Sequence, residues 1–269
     1  MTRRSVAELY DALHGFESRY RRGTAYPVHK ALQFDDPGIA DIYDWIIATV
    51  AISANSRVLD AGCGVGFGTI RLAESNSGPV SGVSLSPAEI ETAEKAAASS
   101  PARERLTFST GSFDKPPGGP FDVITTVESL KHSRDLERTL NTLWGVLAPG
   151  GTIVIVEDCY SGPESDADAR QLCEDWRLER LYRGQDIDAF PTGARCRVVS
   201  LDANLRLVTP IARVRGRLAT IARALFGRSI PAPVAAAFRG GRCLESLYAR
   251  GMMNYNAFIV DKPLDEQPA

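Results

Sequence analysis

Residues 58–66 read VLDAGCGVG, an apolar run closed by an acid and followed by a glycine-dense turn. No other stretch restricts the fold of the chain as much. Val58, Leu59 and Asp60 predict the end of a buried parallel strand, since strands covered on both faces read as continuous apolar runs. Gly62, Gly64 and Gly66 predict a tight turn whose backbone comes close to a ligand, where side chains would clash. Phe67 to Glu74 then supply Ile70, Leu72 and Ala73 for the interior of a helix. Strand, glycine turn and helix in this order form the context that gives a G-x-G-x-G string its meaning as a ligand loop.

The string alone leaves two ligands open, a dinucleotide or S-adenosylmethionine (SAM). The acid separates them. A dinucleotide fold places its acid about 20 residues further on, at the ribose, whereas Asp60 precedes the glycines and suits an amino group beside the turn. The string resembles the first motif of the class I SAM-dependent methyltransferases, and the resemblance continues. GPVSGVSLSPAEIETA (78–93) is similar to the second strand and the entry of the next helix. It is most like the small-molecule branch reading G-x-x-L-S-P-x-Q, which includes sterol, tocopherol and mycolic-acid C-methyltransferases and natural-product O- and N-methyltransferases. LTFSTGSF (106–113) looks like the third strand and the adenine turn. FDVITTVESLKH (121–132) resembles the fourth strand and its loop, and LWGVLAPGGTIVIVED (143–158) the last core helix and fifth strand. The resemblance covers residues 56–160. It implies an α/β fold: a Rossmann-like, seven-stranded, mostly parallel sheet with helices on both faces and a helical substrate cap.

At 269 residues the chain has room for one large α/β domain with a cap, or for two small domains. The expected division is a helical cap segment over 1–55, the SAM-binding core over 56–160 and an inserted lid over 161–195. A completion of the sheet over 196–263 and a tail over 264–269 follow. Helical spacing of Val6, Leu9, Tyr10 and Leu13 predicts a helix within residues 1–22, and Ile42, Trp45, Ile46 and Thr49 predict an inward stripe on a second over 39–50. Further helices are expected over 169–182 and 211–226, the latter basic and amphipathic, and strands over 196–210 and 254–260. By the resemblance, the last strand runs antiparallel between the fifth and sixth.

The resemblance also assigns roles. Gly62, Gly64 and Gly66 bring backbone amides to the methionine half of SAM, and Asp60 approaches its ammonium; the plain alternative for Asp60 is an acid that caps the turn. At the ribose, where most class I enzymes carry an acid, this chain has Ser84 followed by Leu85, with Glu89 at the branch's glutamine position. At the adenine, Ser112 replaces the usual carboxylate and Phe113 either stacks on the ring or fills the core. Val127 closes the fourth strand. Related O-methyltransferases with an E-S-L-x-H string use its histidine as general base, and His132 matches it, a free pKa near 6.5 suiting proton removal at neutral pH; the plain alternative is a histidine that caps the following helix or orders the loop. Glu128 either holds the loop or stabilises a cation, and Asp158 orients His132 or the acceptor. Trp176 and Tyr182 either line an apolar pocket or pack the cap.

The acceptor is thus expected to be a small molecule, anionic or apolar, a secondary metabolite or lipid-like compound methylated on oxygen; the alternatives are carbon methylation of an isoprenoid or other alkene, or a SAM-binding protein without methyl transfer. S-adenosylhomocysteine (SAH) would be the product. Three histidines without ligand spacing argue against a metal. Five scattered cysteines, no signal-peptide core and no apolar run of about 18 residues point to a cytoplasmic chain without a membrane span. A net charge of −2 with no aromatic-basic platform disfavours nucleic acid. Acids gather over 157–190 and arginines over 206–250, either as an acidic flap on a basic one or as a basic face for an anionic substrate or a lipid surface. A monomer or homodimer is expected.

Overall fold

Alternation of strand and helix from residue 58 onward produces five parallel strands: β1 (Val58–Ala61), β2 (Val80–Ser84), β3 (Leu106–Thr110), β4 (Phe121–Val127) and β5 (Leu147–Tyr160). β6 (Arg195–Ser200) and β7 (Met253–Asp261) complete a seven-stranded sheet in the order β3-β2-β1-β4-β5-β7-β6. β7 lies antiparallel to both β5 and β6, so it slots between them as the resemblance implied. The computed structural model describes residues 3–17, 29–50, 52–188, 190, 194–206 and 230–264.

Because successive strand residues point to opposite faces, each apolar run feeds two cores. Leu59, Ile124, Ile153 and Ile155 meet Leu140 and Leu143 of α5 (Leu136–Val146) on one face. Val58, Val123, Val154 and Val156 meet Ile42 and Ile46 of α2 (Ile42–Thr49) and Leu72 of α3 (Phe67–Glu74) on the other. The buried side of α2 is Ile42, Tyr43, Asp44 and Ile46; the predicted stripe fails at Trp45 and Thr49, which are only half-buried. The helix starts later than its apolar pattern suggests because Asp41 caps it, accepting from the amides of Tyr43 and Asp44.

Two helices lead toward the sheet's open edge. α1 (Arg3–Glu17) lies across α4 (Pro87–Ala97) and across the cap. The cap pairs α6 (Ala167–Trp176), which precedes the single turn α7 (Gly184–Ile187), with α8 (Ala232–Ala249) around Leu172, Leu244 and Leu247. α6 is shorter than expected: Arg177 adopts φ 59°, a left-handed stop, and the apolar residues beyond it, Leu178 and Tyr182, pack as extended chain. α8 was not expected, since Gly240 and Gly241 interrupt its pattern. Gly240 is there for contact: a Cβ would meet Trp176 Cδ1 at 2.4 Å and Nε1 at 2.5 Å. Gly240→Ala is expected to destabilise the protein by about 1–3 kcal/mol through overpacking, read as a lowered thermal midpoint. An unchanged midpoint would mean that the cap is free to separate.

The acidic and basic stretches meet within this cap. Arg239 pairs with Asp175, and Arg250 with Asp166 and Asp168. These arginines are structural partners of the acidic segment, as the flap reading predicts. The basic helix expected over 211–226, and with it the question of a lipid or anion face, lies outside the described residues.

Candidate functional site

The glycine turn behaves as its residues dictate. Gly62, Gly64 and Gly66 have φ of 102°, 52° and 82°, values that side chains resist. A Cβ on Gly62 would stand 2.3 Å from that of Ser129, whose hydroxyl donates to Ala61 O at 2.8 Å. The bare glycine therefore lets the loop after β4 close onto the end of β1. Asp60 is fully buried and accepts from Thr69 Oγ1 at 2.7 Å, Thr125 Oγ1 at 3.0 Å and Tyr43 Oη at 3.4 Å. Burial outweighs these three donors and raises its pKa to about 6.

At the end of β2, Ser84 Oγ donates to Glu89 Oε2 at 2.6 Å, so a carboxylate from the first turn of α4 returns an acid to the place where the strand lacks one. Leu85 beside it is half-buried. Ser86 caps α4 and its hydroxyl donates to Asp11 of α1, while His14 of α1 reaches Thr92 of α4 at 2.8 Å. Ser112 is bound to Asp114, donating to its carboxylate at 3.2 Å and accepting from its amide at 3.1 Å. Phe113 and Val127 are buried in the two cores of the sheet, which for Phe113 is the packing alternative.

Beyond β4 the loop carrying Glu128, Lys131 and His132 faces the end of β5. Glu128 takes φ 52°, a conformation that costs a non-glycine residue free energy and needs outside support. The support is visible: Glu128 Oε1 accepts from the Lys30 amide at 2.8 Å and from Tyr255 Oη at 2.9 Å, and Lys30 Nζ lies 3.3 Å from Oε2. The cations Lys30 and Lys131 overcome the burial of Glu128 and lower its pKa to about 2. Of the two roles foreseen for Glu128, this geometry serves loop-holding. Asp158 accepts from Lys30 Nζ at 2.8 Å and from Tyr248 Oη, so its hydrogen bonds go to these two residues and not to His132. Glu157, which the sequence reading passed over, accepts from the amides of Lys131 at 3.0 Å and Asp158 at 3.2 Å, and burial raises its pKa.

His132 has a different partner from the one expected. Its Nε2 lies 2.7 Å from Tyr10 Oη of α1, with the rings edge-on. Nδ1 is buried without a hydrogen bond. Burial, and then the nearby Lys131 ammonium, lower the imidazole pKa to about 3, not the near-free value assumed from sequence. His132 is consequently neutral across the whole physiological range. Trp176 reaches this region through Lys131, whose Nζ is 5.2 Å from its ring centre, whereas Tyr182 is core, donating to Ser133 O at 2.6 Å. Tyr10 and Tyr255 enter the sequence reading only as parts of a helix and a strand, and Lys30 not at all, because each belongs to a segment distant from the motifs. Lys131 did not have that excuse: it sits inside VESLKH.

The methyltransferase domain family matches residues 52–202 of the chain. The chain belongs to that family. The tocopherol O-methyltransferase of Arabidopsis thaliana, a chloroplastic protein, is 31% identical over 129 residues, covering 47% of this chain and 37% of that one. The (4+2)-cyclase SpnF has a TM-score of 0.77 at 21% identity, over 98% of each chain. The geranyl diphosphate C-methyltransferase of Streptomyces coelicolor A3(2), in complex with Mg2+, geranyl diphosphate and S-adenosyl-L-homocysteine, has a TM-score of 0.70 at 13% identity, over 97% of each chain. At these identities the two structures speak for the methyltransferase fold alone. The chain spans about half or less of the length of the curated relatives it matches, 48% of one and 37% of another.

Within the methyltransferase family reading, the residues fit a SAM-sized donor on this chain's own geometry. Three left-handed glycines bare their backbone beside an acid with a shifted pKa, and a second carboxylate, Glu89, stands at the end of the neighbouring strand. All of these groups lie at the carboxyl edge of the parallel strands, where ligands bind in open α/β sheets. No cluster of His, Cys, Asp and Glu suited to a metal occurs among the described residues.

Proposed function

We propose that the protein transfers the methyl group of SAM to a small-molecule acceptor, on oxygen, with His132 as the base. The carrying observation is geometric: an imidazole at the open sheet edge, one loop away from the glycine turn, with Nδ1 unpartnered and Nε2 fixed by Tyr10. Bound SAM supplies a methyl group already activated by its sulfonium. Gly62, Gly64 and Gly66 hold the donor's methionine half, Asp60 favours its ammonium, and Ser84 with Glu89 faces its ribose hydroxyls. Ser112, bound to Asp114, lies on the adenine side and Val127 closes β4 beside the donor, while Phe113 supports that side from within the core. Glu128 and Asp158 act by fixing Lys30 and the loop that carries His132. The acceptor hydroxyl gives its proton to His132 as its oxygen forms the new C–O bond and the methyl–sulfur bond breaks, leaving SAH. The O-methyltransferase named among the relatives supports oxygen; the geranyl diphosphate C-methyltransferase keeps carbon as the second outcome. Five free cysteines support a cytoplasmic setting, and no described helix is long and apolar enough to cross a membrane.

Incubation with methyl-labelled SAM and pooled hydroxylated and alkene compounds tests the reading. Label that hot hydriodic acid releases marks an O-methyl product, and label that survives marks a C-methyl product. SAH binding without any label transfer would leave the chain a SAM-binding protein of another activity.

Asp60 supplies an independent check. With its pKa raised to about 6, part of the population is protonated at pH 5–6 in the free protein. A donor ammonium favours the carboxylate, so the complex binds fewer protons than the free protein, and SAH affinity is expected to rise from pH 5 to pH 7 and then level. Calorimetry should show the slope in the wild type and not in Asp60→Asn. A flat wild-type profile would make Asp60 a turn-orienting acid only.

A further inference from the structure

Five ionised or ionisable side chains meet where the β4 and β5 edges face the cap: Lys30, Glu128, Lys131, Glu157 and Asp158. Four of them have hydrogen-bonded charged atoms. Lys30 Nζ is on Asp158, and the carboxylates accept from the Lys30 amide, Tyr255, Tyr248 and the amides of Lys131 and Asp158. Lys131 is the exception. Its Nζ is buried and makes no hydrogen bond, lying 3.4 Å from Glu157 Oε1, 3.5 Å from Asp158 Oδ2 and 3.7 Å from Glu128 Oε2. Burial disfavours the ammonium, but Glu157, Asp158 and Glu128 together outweigh it and keep Lys131 charged. The Trp176 ring covers it at 5.2 Å. The ammonium is therefore compensated by three ion pairs but makes no close hydrogen bond to any of them, and a buried ammonium without hydrogen bonds carries a desolvation cost that water no longer offsets.

We propose that Lys131 orients the acceptor, and that the acceptor is an uncharged, hydroxyl-bearing small molecule whose oxygen takes the open N–H donors of its ammonium beside His132. This rests on the methyltransferase reading and narrows its substrate class. The charge balance of the surroundings selects the class. A carboxylate or phosphate at Lys131 would stand among three carboxyl groups, and an amine would stand against Lys131 itself. A hydroxyl meets both demands, accepting from Nζ and donating to a neighbouring carboxylate. Lys131 and His132 are adjacent in the chain, the Lys131 charge is felt at the imidazole, and a nitrogen of each is buried without a hydrogen bond. One acceptor oxygen is assigned to Lys131 and the reacting one to His132.

The probes are three ring-matched compounds: phenol (neutral), 4-hydroxybenzoate (anionic) and tyramine (cationic). Each is titrated at pH 7 against the full chain saturated with SAH, with binding read by ligand-observed NMR. Phenol is expected to bind at least about tenfold more tightly than either charged analogue, a difference of about 1.4 kcal/mol. Lys131→Met should weaken phenol by a similar factor while leaving SAH affinity unchanged. Equal or tighter binding of 4-hydroxybenzoate or tyramine would overturn the proposal, as would phenol affinity that ignores Lys131→Met. Failure of all three to bind the SAH complex would mean that water alone satisfies Lys131, and would overturn it too. If Lys131→Met does not fold, the wild-type ranking of the three probes decides by itself. A wild-type chain that does not bind SAH would sink the methyltransferase reading through a separate readout.

Discussion

His132→Ala is expected to lower turnover about 10²–10⁴-fold on a hydroxyl acceptor, the usual worth of a positioned general base, while SAH affinity stays within twofold of wild type. The separation follows from position. His132 touches Tyr10 and neighbours Lys131, whereas on the donor side Asp60 is bound to Thr69, Thr125 and Tyr43, and Ser84 to Glu89. The pH dependence is the more discriminating measurement. An imidazole with a pKa lowered to about 3 is already neutral at pH 5, so the wild-type rate should show no His132 limb between pH 5 and pH 8. A limb near pH 6.5 would instead report an imidazole in contact with water, with α1 and Tyr10 withdrawn during turnover. The same lowered pKa has a stability consequence. The unfolded chain binds a proton at His132 below about pH 6.5 that the folded chain refuses, so this contribution to stability is full above that pH and is lost as pH falls toward 3. His132→Ala should remove that part of the acid sensitivity, measurable by denaturant unfolding at pH 4 and pH 7. Should the acceptor be an alkene, its π bond attacks the methyl group first and the proton leaves later. Glu128→Gln would then cost more activity than His132→Ala, and a near-normal His132→Ala enzyme would end the base assignment.

Gly64→Val should weaken SAH at least about tenfold, about 1.4 kcal/mol, by calorimetry on folded protein. Gly64 has φ 52°, a left-handed conformation in which a β-branched side chain is strained, and it is the middle glycine of the turn. The substitution therefore changes both the backbone path and the space beside it. Circular dichroism and an unchanged thermal midpoint would separate a local effect from unfolding, since Gly64 belongs to neither core cluster. Unchanged SAH affinity would move the donor away from the glycine turn and remove the main support for the proposed activity. Gly62→Ala is the less informative variant, because its Cβ would collide with Ser129 and disturb the β4 loop as well.

What the sequence determined by itself is local. VLDAGCGVG specifies strand, turn and helix because an apolar run and left-handed glycines admit few other conformations. The order of the later strands follows from the same alternation, and β7 was legible in NYNAFIV from its β-branched and aromatic content. Glycine geometry, the buried Asp60 and the place of His132 after β4 were all readable from short motifs, because the residues that define them are neighbours in the chain.

The state of the site was decided only by tertiary structure. Tyr10 and His132 are 122 positions apart, Lys30 and Asp158 128, and Tyr255 and Glu128 127. No local pattern reports such pairs, and each changes the chemistry of a motif residue. Burial by α1 and the charge of Lys131 turn a free histidine into one that stays neutral, while Lys30 and Tyr255 turn a carboxylate into a loop clamp. Ser84 looked like a missing acid until the first turn of α4 brought Glu89 back to it. α8 was hidden for a related reason: glycine is a poor helix residue in isolation, and only the Trp176 ring lying against Gly240 explains its presence there. Local propensity is a property of neighbours in sequence. The dielectric, the partner and the protonation state of a side chain belong to whatever the fold packs around it.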